Sequence, residues 1–368
     1  MKTIIDVSNV VYGGHYGSID KRVAGFPVGG IRKLLGIINA GINQTDYILC
    51  FDGAPTKKKE LFPEYKAGRV PNYSVMAQID LLQEILQDCN IPFYLVEDKE
   101  ADDVICSVIY DLAILGDPDR IVVYSDDRDL ACCVGEKCTL KNTTSNGKTI
   151  DKNSFEDRVV QGERVPYNTI LLHKIVNGDK SDNYPGVNVH GLRFEELAYA
   201  YLGVMSPYLS NGSFPEAAFL DVSIFNAVMD ELSDRYDEPT REAIKKHAEL
   251  VYPQLFDVTA GGVDKVFADM QERGLPLFKV EKDHFKVFGQ GDFNRQKFDM
   301  YCSVLGLNRC RVDRYGDRFS EDVEEFKAKL KLRSKELASG VSAVERYRKV
   351  TQAAVEPPTV ITNMELPI

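Results

Sequence analysis

Residues 91–115 read IPFYLVEDKEADDVICSVIYDLAIL and contain three successive patterns. A short apolar run comes first, a group of acids that includes Glu100, Asp102 and Asp103 follows, and a longer apolar repeat closes the stretch. A short apolar run predicts a buried strand, whereas apolar residues that recur with a helical period predict a helix. The stretch therefore predicts a strand–helix unit with carboxylates at its junction.

The same unit recurs through the first half of the chain. KTIIDVSN, DYILCFDG and RIVVYSDD have the pattern of strands, and VGGIRKLLGIINA and YSVMAQIDLLQEILQDC have the pattern of helices. Buried strands that alternate with helices form a parallel sheet that helices cover on both faces. We therefore expect a doubly wound α/β domain that ends near residue 180.

Acids stand where the predicted strands end. Asp6 follows TII, Asp52 follows YILCF, and Asp127 and Asp129 follow IVVYS. In doubly wound sheets, ligands bind beyond the carboxyl ends of the strands. Carboxylates gathered there repel one another, so we expect cations to neutralise them. Oxygen ligands without cysteine or histidine favour Mg²⁺ or Mn²⁺ over Zn²⁺.

Each acidic motif taken alone has a second explanation. Acids in the first turn of a helix are ordinary partners of the helix dipole, which would account for EADD. Asp179 and Asp182 in VNGDKSDNYPGV are, on their own, typical of a turn or a helix cap. The coincidence of acids at four strand ends favours the metal site.

Length and composition set the class of protein. The chain has 368 residues, 44% of them hydrophobic, which allows two domains at about 100 to 200 residues each. The start, MKTIIDVSNVVYGG, has an aspartate within its apolar run and does not resemble a signal peptide, and no run of about 18 apolar residues is present. We expect a cytoplasmic protein with no membrane partner. The eight cysteines form no CxxC pair and are expected to be reduced core residues.

Six motifs, in their order along the chain, resemble those of the 5'-nuclease superfamily. They are IIDVSN, FDG, PEYKAGR, EADDVI, SDDRDL and GDKSDNYPGV, and they lie within residues 3–195. The superfamily comprises the 5'-3' exonuclease domain of DNA polymerase I, bacteriophage 5' exonucleases and flap endonucleases. No polymerase domain follows the motifs, so the likeness is to stand-alone phage-type enzymes, similar to the ribonuclease H of T-even bacteriophages. The resemblance implies a PIN-like α/β fold with a helical arch near residues 55–72, followed by a mainly helical C-terminal region.

The resemblance also implies a site for two Mg²⁺ ions, with Mn²⁺ as a substitute. Its implied ligands are Asp6, Asp52, Glu100, Asp102, Asp103, Asp127, Asp129, Asp179 and Asp182. The first five would lie nearer one ion and the last four nearer the other. Asp126 takes a small-residue position of the family motif and receives no role. Without the nine acids the net charge of -11 becomes -2, which is compatible with a nucleic-acid partner.

A basic stretch, TKKKELFPEYKAGR, follows the second acidic strand end. Basic side chains beside a metal site can hold a phosphate chain and stabilise the charge that develops when it is cut, although a solvated lysine-rich loop is the alternative. The resemblance implies that Lys66 and Arg69 act on the scissile phosphate and that Tyr65 stacks on a terminal base. General phosphate contacts are expected of Lys57, Lys58 and Lys59.

The hairpin NYPGVNVHGLRFEELA departs from the family pattern NIPGVPGIGPKTA. The glycines of that pattern let backbone amides approach the phosphates of a duplex. This chain keeps Gly186 and Gly191, carries Val189 and His190 in place of glycine and isoleucine, and has Arg193 in place of lysine. We expect Gly186, Gly191 and Arg193 to contact nucleic acid, and the departure leaves the grip on duplex DNA and the binding of a monovalent cation open.

Three regions are expected along the chain. Residues 1–180 would form the catalytic domain, residues 181–310 a helical DNA-binding region that includes the hairpin, and residues 311–368 basic helices and a loose tail. Residues 327–349 carry eight basic and two acidic side chains, which suits either contact with duplex DNA or a solvated helix face.

Taken together, these patterns predict a monomeric, metal-dependent 5' nuclease. Its substrates would be 5' ends or flaps of DNA, and RNA primers in RNA–DNA hybrids, in replication or repair. The tail would offer a peptide to a replication protein. A PIN-type ribonuclease and a non-catalytic scaffold that binds DNA ends are the alternatives.

Overall fold

The computed structural model of the chain describes residues 1–41, 46–114, 119–144, 147–160, 162–187, 193–210, 222–253, 285–288, 291–307 and 317–339. The strands are β1 (Lys2–Asp6), β2 (Arg22–Val23), β3 (Phe26–Pro27), β4 (Asp46–Phe51), β5 (Phe93–Val96), β6 (Ile121–Tyr124), β7 (Cys138–Lys141), β8 (Thr149–Ile150), β9 (Phe155–Val160), β10 (Glu163–Pro166) and β11 (Phe285–Phe288). The helices are α1 (Val7–Gly17), α2 (Gly29–Gly41), α3 (Thr56–Leu61), α4 (Tyr73–Asp88), α5 (Ala101–Ile114), α6 (Ile170–Asn177), α7 (Phe194–Ser210), α8 (Val222–Glu231), α9 (Glu238–Val251), α10 (Arg295–Val304) and α11 (Asp317–Ala338). Two short 3-10 helices span Arg128–Cys133 and Tyr167–Thr169.

Seven strands form one mainly parallel sheet in the order β11-β5-β4-β1-β6-β7-β8. The five inner strands run parallel, and β11 and β8 are antiparallel at the two edges. From β1 the chain builds outward to β4 and β5 and then returns to the other side of β1 for β6. The strand order therefore reverses at β1, and the carboxyl end of β1 is where a ligand of such a sheet binds.

The two faces of the sheet bury separate hydrophobic clusters because successive side chains of a strand point to opposite faces. Ile4 lies in the cluster that includes residues of α5 to α9, whereas Ile5 lies in the cluster of α1, α2, α4, α10 and α11. Cys50 and Leu49 of β4 divide in the same way. Near-continuous apolar strands such as YILCF are the consequence of this two-sided burial.

The predicted fold class is confirmed, since helices cover a mainly parallel sheet and the four strands read from the sequence are all present. Two features were not predicted. The chain forms α1 directly after β1, a helix that the sequence patterns did not indicate, and it adds antiparallel strands at both edges of the sheet. The predicted arch segment contains the short helix α3, followed by turns up to Asn72.

Part of the C-terminal region returns to the sheet. β11 pairs with β5, and α10 and α11 pack against α4. Tyr301 of α10 donates a hydrogen bond to Asp88 at 2.6 Å, and Lys329 and Arg333 of α11 both pair with Glu84 of α4. Residues 254–284, in the expected helical region, and residues 340–368, which include the expected tail, lie outside the described residues. The predicted division into three regions stays a prediction.

Two further observations concern the predicted class. None of the described helices combines the length and the apolar composition that a membrane span requires. Cysteines at seven described positions are buried, and those at 106, 132 and 133 bring their Sγ atoms within 4.8 Å of one another, a grouping that their scattered positions in the sequence did not predict.

Candidate metal centre

Strand ends and helix starts position the predicted acids at the carboxyl edge of the sheet. Asp6 is the last residue of β1 and caps α1, because its Oδ1 accepts from the Asn9 amide at 3.0 Å. Its Oδ2 accepts from the Ser125 hydroxyl at 2.8 Å. Asp52 follows β4, and its Oδ1 accepts from the Ala101 amide at the start of α5 at 2.8 Å. Each acid therefore joins a strand end to a neighbouring element.

Glu100, Asp102 and Asp103 form a first group of carboxylates, which we call group 1. One oxygen from each lies within 4.8 Å of the other two. Asp103 Oδ2 also accepts from the Glu100 amide at 3.1 Å, which is the reach of a capping residue back to the start of its helix. The two explanations of EADD thus hold together, since Asp103 caps α5 and also belongs to the acidic group.

Asp129, Asp179 and Asp182 form group 2 in the same geometric sense. Asp129 lies in the 3-10 helix after β6, and the other two lie in the loop after α6. That loop is held by two backbone hydrogen bonds of 2.8 Å between Asp179 and Tyr184 and by the Ser181 hydroxyl, which donates to Asp179 at 2.6 Å. Residues fifty positions apart in the chain therefore meet at one point.

Charge repulsion connects the remaining acids to these groups. Burial and the charge of Asp52 raise the pKa of Asp6 well above its usual range. Burial raises the pKa of Asp52, hydrogen bonds from Ser8 and Ala101 oppose the rise, and the charges of Glu100 and Asp102 add to it. Burial and Asp127 raise the pKa of Asp129 to about 7. These acids resist ionising together, so a cation beside them would stabilise their charged forms.

The donor set fits hard divalent cations. Both groups offer only carboxylate oxygens, without thiol or imidazole, and such ligands suit Mg²⁺ and Mn²⁺. Asp102 belongs to group 1 and lies toward group 2, since it interacts electrostatically with Asp129 as well as with Asp52. The structure thus brings six of the nine predicted ligands together as two groups, and the other three, Asp6, Asp52 and Asp127, interact electrostatically with acids beside or within these groups.

Lysines contact both groups. Lys58 of α3 and Lys66 pair with Glu100, and Lys66 also lies 3.9 Å from Asp182. Although burial acts against it, these two ammonium groups hold the pKa of Glu100 at about 2. Lys174 of α6 pairs with Asp129 and Asp179 and lies 3.7 Å from Asp182. Lys174 was not predicted, because a single lysine in an apolar helix carries no motif.

The predicted phosphate-binding residues take different places. Arg69 is half exposed and donates to Asp182 at 2.5 Å and to the Ser181 carbonyl at 3.1 Å. Lys57 and Lys59 are exposed, whereas Lys58 is buried against group 1. Tyr65 is 5% exposed, and its hydroxyl donates to Glu100 at 3.0 Å, so stacking on a base would require its ring to be uncovered.

The predicted hairpin residues are described in part. Gly186 has a φ of +75°, and a Cβ there would lie 2.4 Å from the Gly178 amide nitrogen. Backbone conformation and packing therefore already require glycine at this position, without any contact to nucleic acid. Arg193 is exposed and lies 3.7 Å from Glu196. Gly191, together with Val189 and His190, lies outside the described residues.

Sequence patterns also missed two aromatic residues on α1, one of which interacts with an acid of the site. Tyr12 and Tyr16 are exposed on α1, four residues apart, with ring centroids separated by 6.4 Å. Tyr12 interacts electrostatically with Asp52 and Arg69. The two tyrosines would have been found if α1 had been predicted, since a spacing of four residues puts side chains on one helix face.

The first 160 residues resemble a known family of nucleases. An α/β sheet with two carboxylate groups at its strand-order reversal is the arrangement that the motifs predicted for the 5'-nuclease superfamily. Residues 1–160 match the family described as 5'-3' exonuclease, N-terminal resolvase-like domain, and membership of the superfamily is thereby confirmed for this part of the chain.

Curated relatives cover different shares of the chain. A 5'-3' exonuclease of Aquifex aeolicus is 25% identical over 296 residues, which are 75% of this chain and 100% of the relative. A 5'-3' exonuclease of Buchnera aphidicola is 30% identical over 200 residues, which are 52% of this chain and 66% of the relative. DNA polymerase I of Pseudomonas aeruginosa is 31% identical over 169 residues, and the chain spans 18% of its length.

Solved structures with distant similarity come from bacteriophage T5. The T5 D15 protein co-crystallized with metal ions has a TM-score of 0.46 at 15% identity and covers 74% of this chain and 94% of its own. The T5 5'-exonuclease with bound zinc has a TM-score of 0.44 at 14% identity and covers 89% of this chain and 99% of its own.

Proposed function

We propose that this protein is a metal-dependent 5' nuclease that hydrolyses phosphodiester bonds at 5' ends or flaps of DNA. The observation that carries the proposal is the pair of carboxylate groups at the reversal point of the sheet, with Lys66 in contact with an acid of each group. The match of residues 1–160 to 5'-3' exonucleases supports the same activity.

Group 1, with Asp6 and Asp52, would hold one Mg²⁺, and group 2, with Asp127, would hold the other. Two such ions supply stabilisation of the attacking water and of the leaving oxygen in an in-line displacement. The protein contributes a prepared ligand set, since Ser125, Asn9 and Ala101 fix the orientation of Asp6 and Asp52 by hydrogen bonds. Such fixed orientation is what an active site needs before substrate arrives.

Basic and aromatic side chains beside the groups suit a nucleic-acid strand. Lys66 and Arg69 are only partly buried; Lys66 places its positive charge beside acids of both groups and Arg69 beside Asp182 of group 2, where a phosphate would approach. Positive groups there would stabilise the charge that develops on the scissile phosphate. Tyr12 and Tyr16 offer exposed rings, and aromatic stacking contributes about 1 to 3 kcal/mol per base.

Further parts of the proposal follow the sequence motifs. They comprise action on RNA–DNA hybrids in replication or repair, a cytoplasmic location, a monomeric state, a phage-type relationship and a partner for the tail. A PIN-type ribonuclease and a non-catalytic DNA-end-binding scaffold remain the competing functions. Substrate preference separates all three.

A cleavage assay tests the proposal. Wild-type protein with Mg²⁺ should cut a 5'-labelled flap or nicked duplex, and EDTA should abolish the cutting. Asp102→Ala should lose cleavage while still binding DNA, because it removes the acid of group 1 that lies toward group 2. Asp119→Ala is the matched control, since it removes an acid that precedes β6 at the opposite edge of the sheet. Failure of the wild type to cut any DNA substrate, or cutting of RNA alone, would refute the proposal.

A further inference from the structure

Lys58 differs from its two neighbours in α3. It is 3% exposed, whereas Lys57 and Lys59 on the same helix are exposed. Its Nζ lies 2.9 Å from Glu100 Oε2, 3.2 Å from Asp103 Oδ1 and 3.7 Å from Asp102 Oδ2. One ammonium group therefore contacts all three carboxylates of group 1.

Burial of this ammonium requires compensation. Removing a lysine charge from water costs on the order of several kcal/mol, and only close opposite charges offset that cost. The three carboxylates within 3.7 Å of its Nζ provide that compensation, so group 1 contains a cation that belongs to the chain.

The helix that carries Lys58 gives the side chain little freedom to leave. The backbone amide of Phe62 closes the last turn of α3 on the Lys58 carbonyl at 2.9 Å. The Tyr65 ring lies 5.9 Å from the ammonium and covers it, and the Tyr65 hydroxyl shares Glu100 Oε2 with it. Lys66, by comparison, is 22% exposed and can turn toward substrate.

We propose that Lys58 is a positioning residue that acts as an internal counter-ion of group 1 and lowers the affinity of this group for a divalent cation. The Lys58 ammonium lies within 3.7 Å of an oxygen of each of the three carboxylates and offsets one of their negative charges, which would stay uncompensated without it. An uncompensated group attracts a divalent cation more strongly. The inference rests on the proposed function only in the identity of the metal, and it concerns binding rather than cleavage.

Direct titration with Mn²⁺ in the absence of DNA tests the inference. Lys58→Met removes the charge and should bind Mn²⁺ at group 1 at least tenfold more tightly than wild type. Lys58→Arg keeps the charge and should stay within about threefold of wild type. Lys152→Met is the matched control, because it removes an ammonium bound to a carboxylate, Glu136, outside the metal centre, and its Mn²⁺ affinity should equal that of wild type.

Thermal unfolding provides a second measurement. In EDTA, Lys58→Met should unfold at a lower temperature than wild type, because group 1 loses its only buried counter-ion among the described residues, and added Mn²⁺ should raise its Tm more than that of wild type. Should Lys58→Met not fold in EDTA, Lys58→Gln, which retains a hydrogen-bond donor without the charge, takes its place in both measurements.

The outcomes separate the two proposals. The role of Lys58 would be overturned if both uncharged variants bound Mn²⁺ no more tightly than wild type. It would also be overturned if Lys58→Arg bound Mn²⁺ as tightly as Lys58→Met. A wild-type protein that binds Mn²⁺ but cuts no DNA would overturn the proposed function and leave the role of Lys58 standing. A wild-type protein that binds no divalent cation would overturn both.

Discussion

Asp126 is an acid beside the metal centre to which the motifs gave no role, and the structure gives it a structural one. Its carboxylate accepts from the Thr143 amide at 2.6 Å, from the Thr143 hydroxyl at 2.7 Å and from the Thr144 amide at 3.3 Å. Lys33 of α2 donates to the same threonine hydroxyl at 2.9 Å. Asp126 therefore fixes the turn after β7, and Asp126→Ala should destabilise the fold without a direct effect on metal binding.

The magnitude follows from the hydrogen bonds that are lost. Hydrogen bonds to a charged acceptor contribute about 1.5 to 3 kcal/mol each to stability. The estimate includes the two short hydrogen bonds from Thr143 and is reduced because Asp126 is partly exposed. We expect Asp126→Ala to lower the free energy of unfolding by about 2 to 4 kcal/mol. Asp126→Asn keeps one acceptor oxygen for the two amides and should cost about half as much.

Urea unfolding in EDTA and Mn²⁺ calorimetry together check this prediction. Asp127→Asn, one position further, is the matched variant and should weaken Mn²⁺ binding at group 2 while the unfolding free energy changes little, because Asn still caps the 3-10 helix. The reasoning would be wrong if Asp126→Ala changed stability by less than about 0.5 kcal/mol, the range of ordinary surface substitutions. It would also be wrong if that variant reduced Mn²⁺ affinity as strongly as Asp127→Asn.

Three other predictions concern elements that support the site. Leu330→Ala in the fully buried face of α11 should cost about 2 to 5 kcal/mol in urea unfolding, whereas Leu332→Ala on its exposed face should change stability by under about 0.5 kcal/mol. The Gln78 amide donates a hydrogen bond to Nδ1 of His15, and burial lowers the pKa of this imidazole. The stability gained from the neutral imidazole is complete above its ordinary pKa and is lost as the pH falls below that value. His15→Ala should therefore show a flatter pH dependence of the unfolding free energy between pH 7.5 and about 5. An equal slope in both proteins would contradict this. Gly53→Ala should not yield a stable fold, since its Cβ would lie 1.9 Å from the Val96 carbonyl oxygen of β5. A melting curve like that of wild type would show that this close approach does not exist.

The sheet and the acids could be predicted because each was repeated along the chain. Strand patterns such as YILCF end in an acid four times, and a parallel sheet brings such ends together whatever the loops do. The acids at the strand ends could therefore be placed together without knowledge of the helices between them, whereas Asp179 and Asp182, which follow α6, were assigned only through the resemblance to the 5'-nuclease superfamily. Sequence also predicted α4 and α5, whose apolar periods are long and regular.

The parts that escaped prediction depend on contacts distant in sequence. Lys58 is one of three consecutive lysines, and nothing in TKKKE distinguishes the one that turns inward toward Glu100. Asp126 meets Thr143 only because β7 lies beside β6. Helix α1 was missed because VSNVVYGGHYG contains three glycines and β-branched residues, which lower helix propensity, and packing against α2 outweighs that preference.

The return of β11 to the sheet has a consequence for any shortened form of this protein. β5 would be an edge strand without β11, and its outer amide and carbonyl groups would lie open to pairing with another chain. A fragment cut near residue 180 would contain every predicted metal ligand except Asp182, yet it would expose this strand and the apolar side of α4. Self-association of such a fragment would then reflect its open edge rather than a natural oligomer.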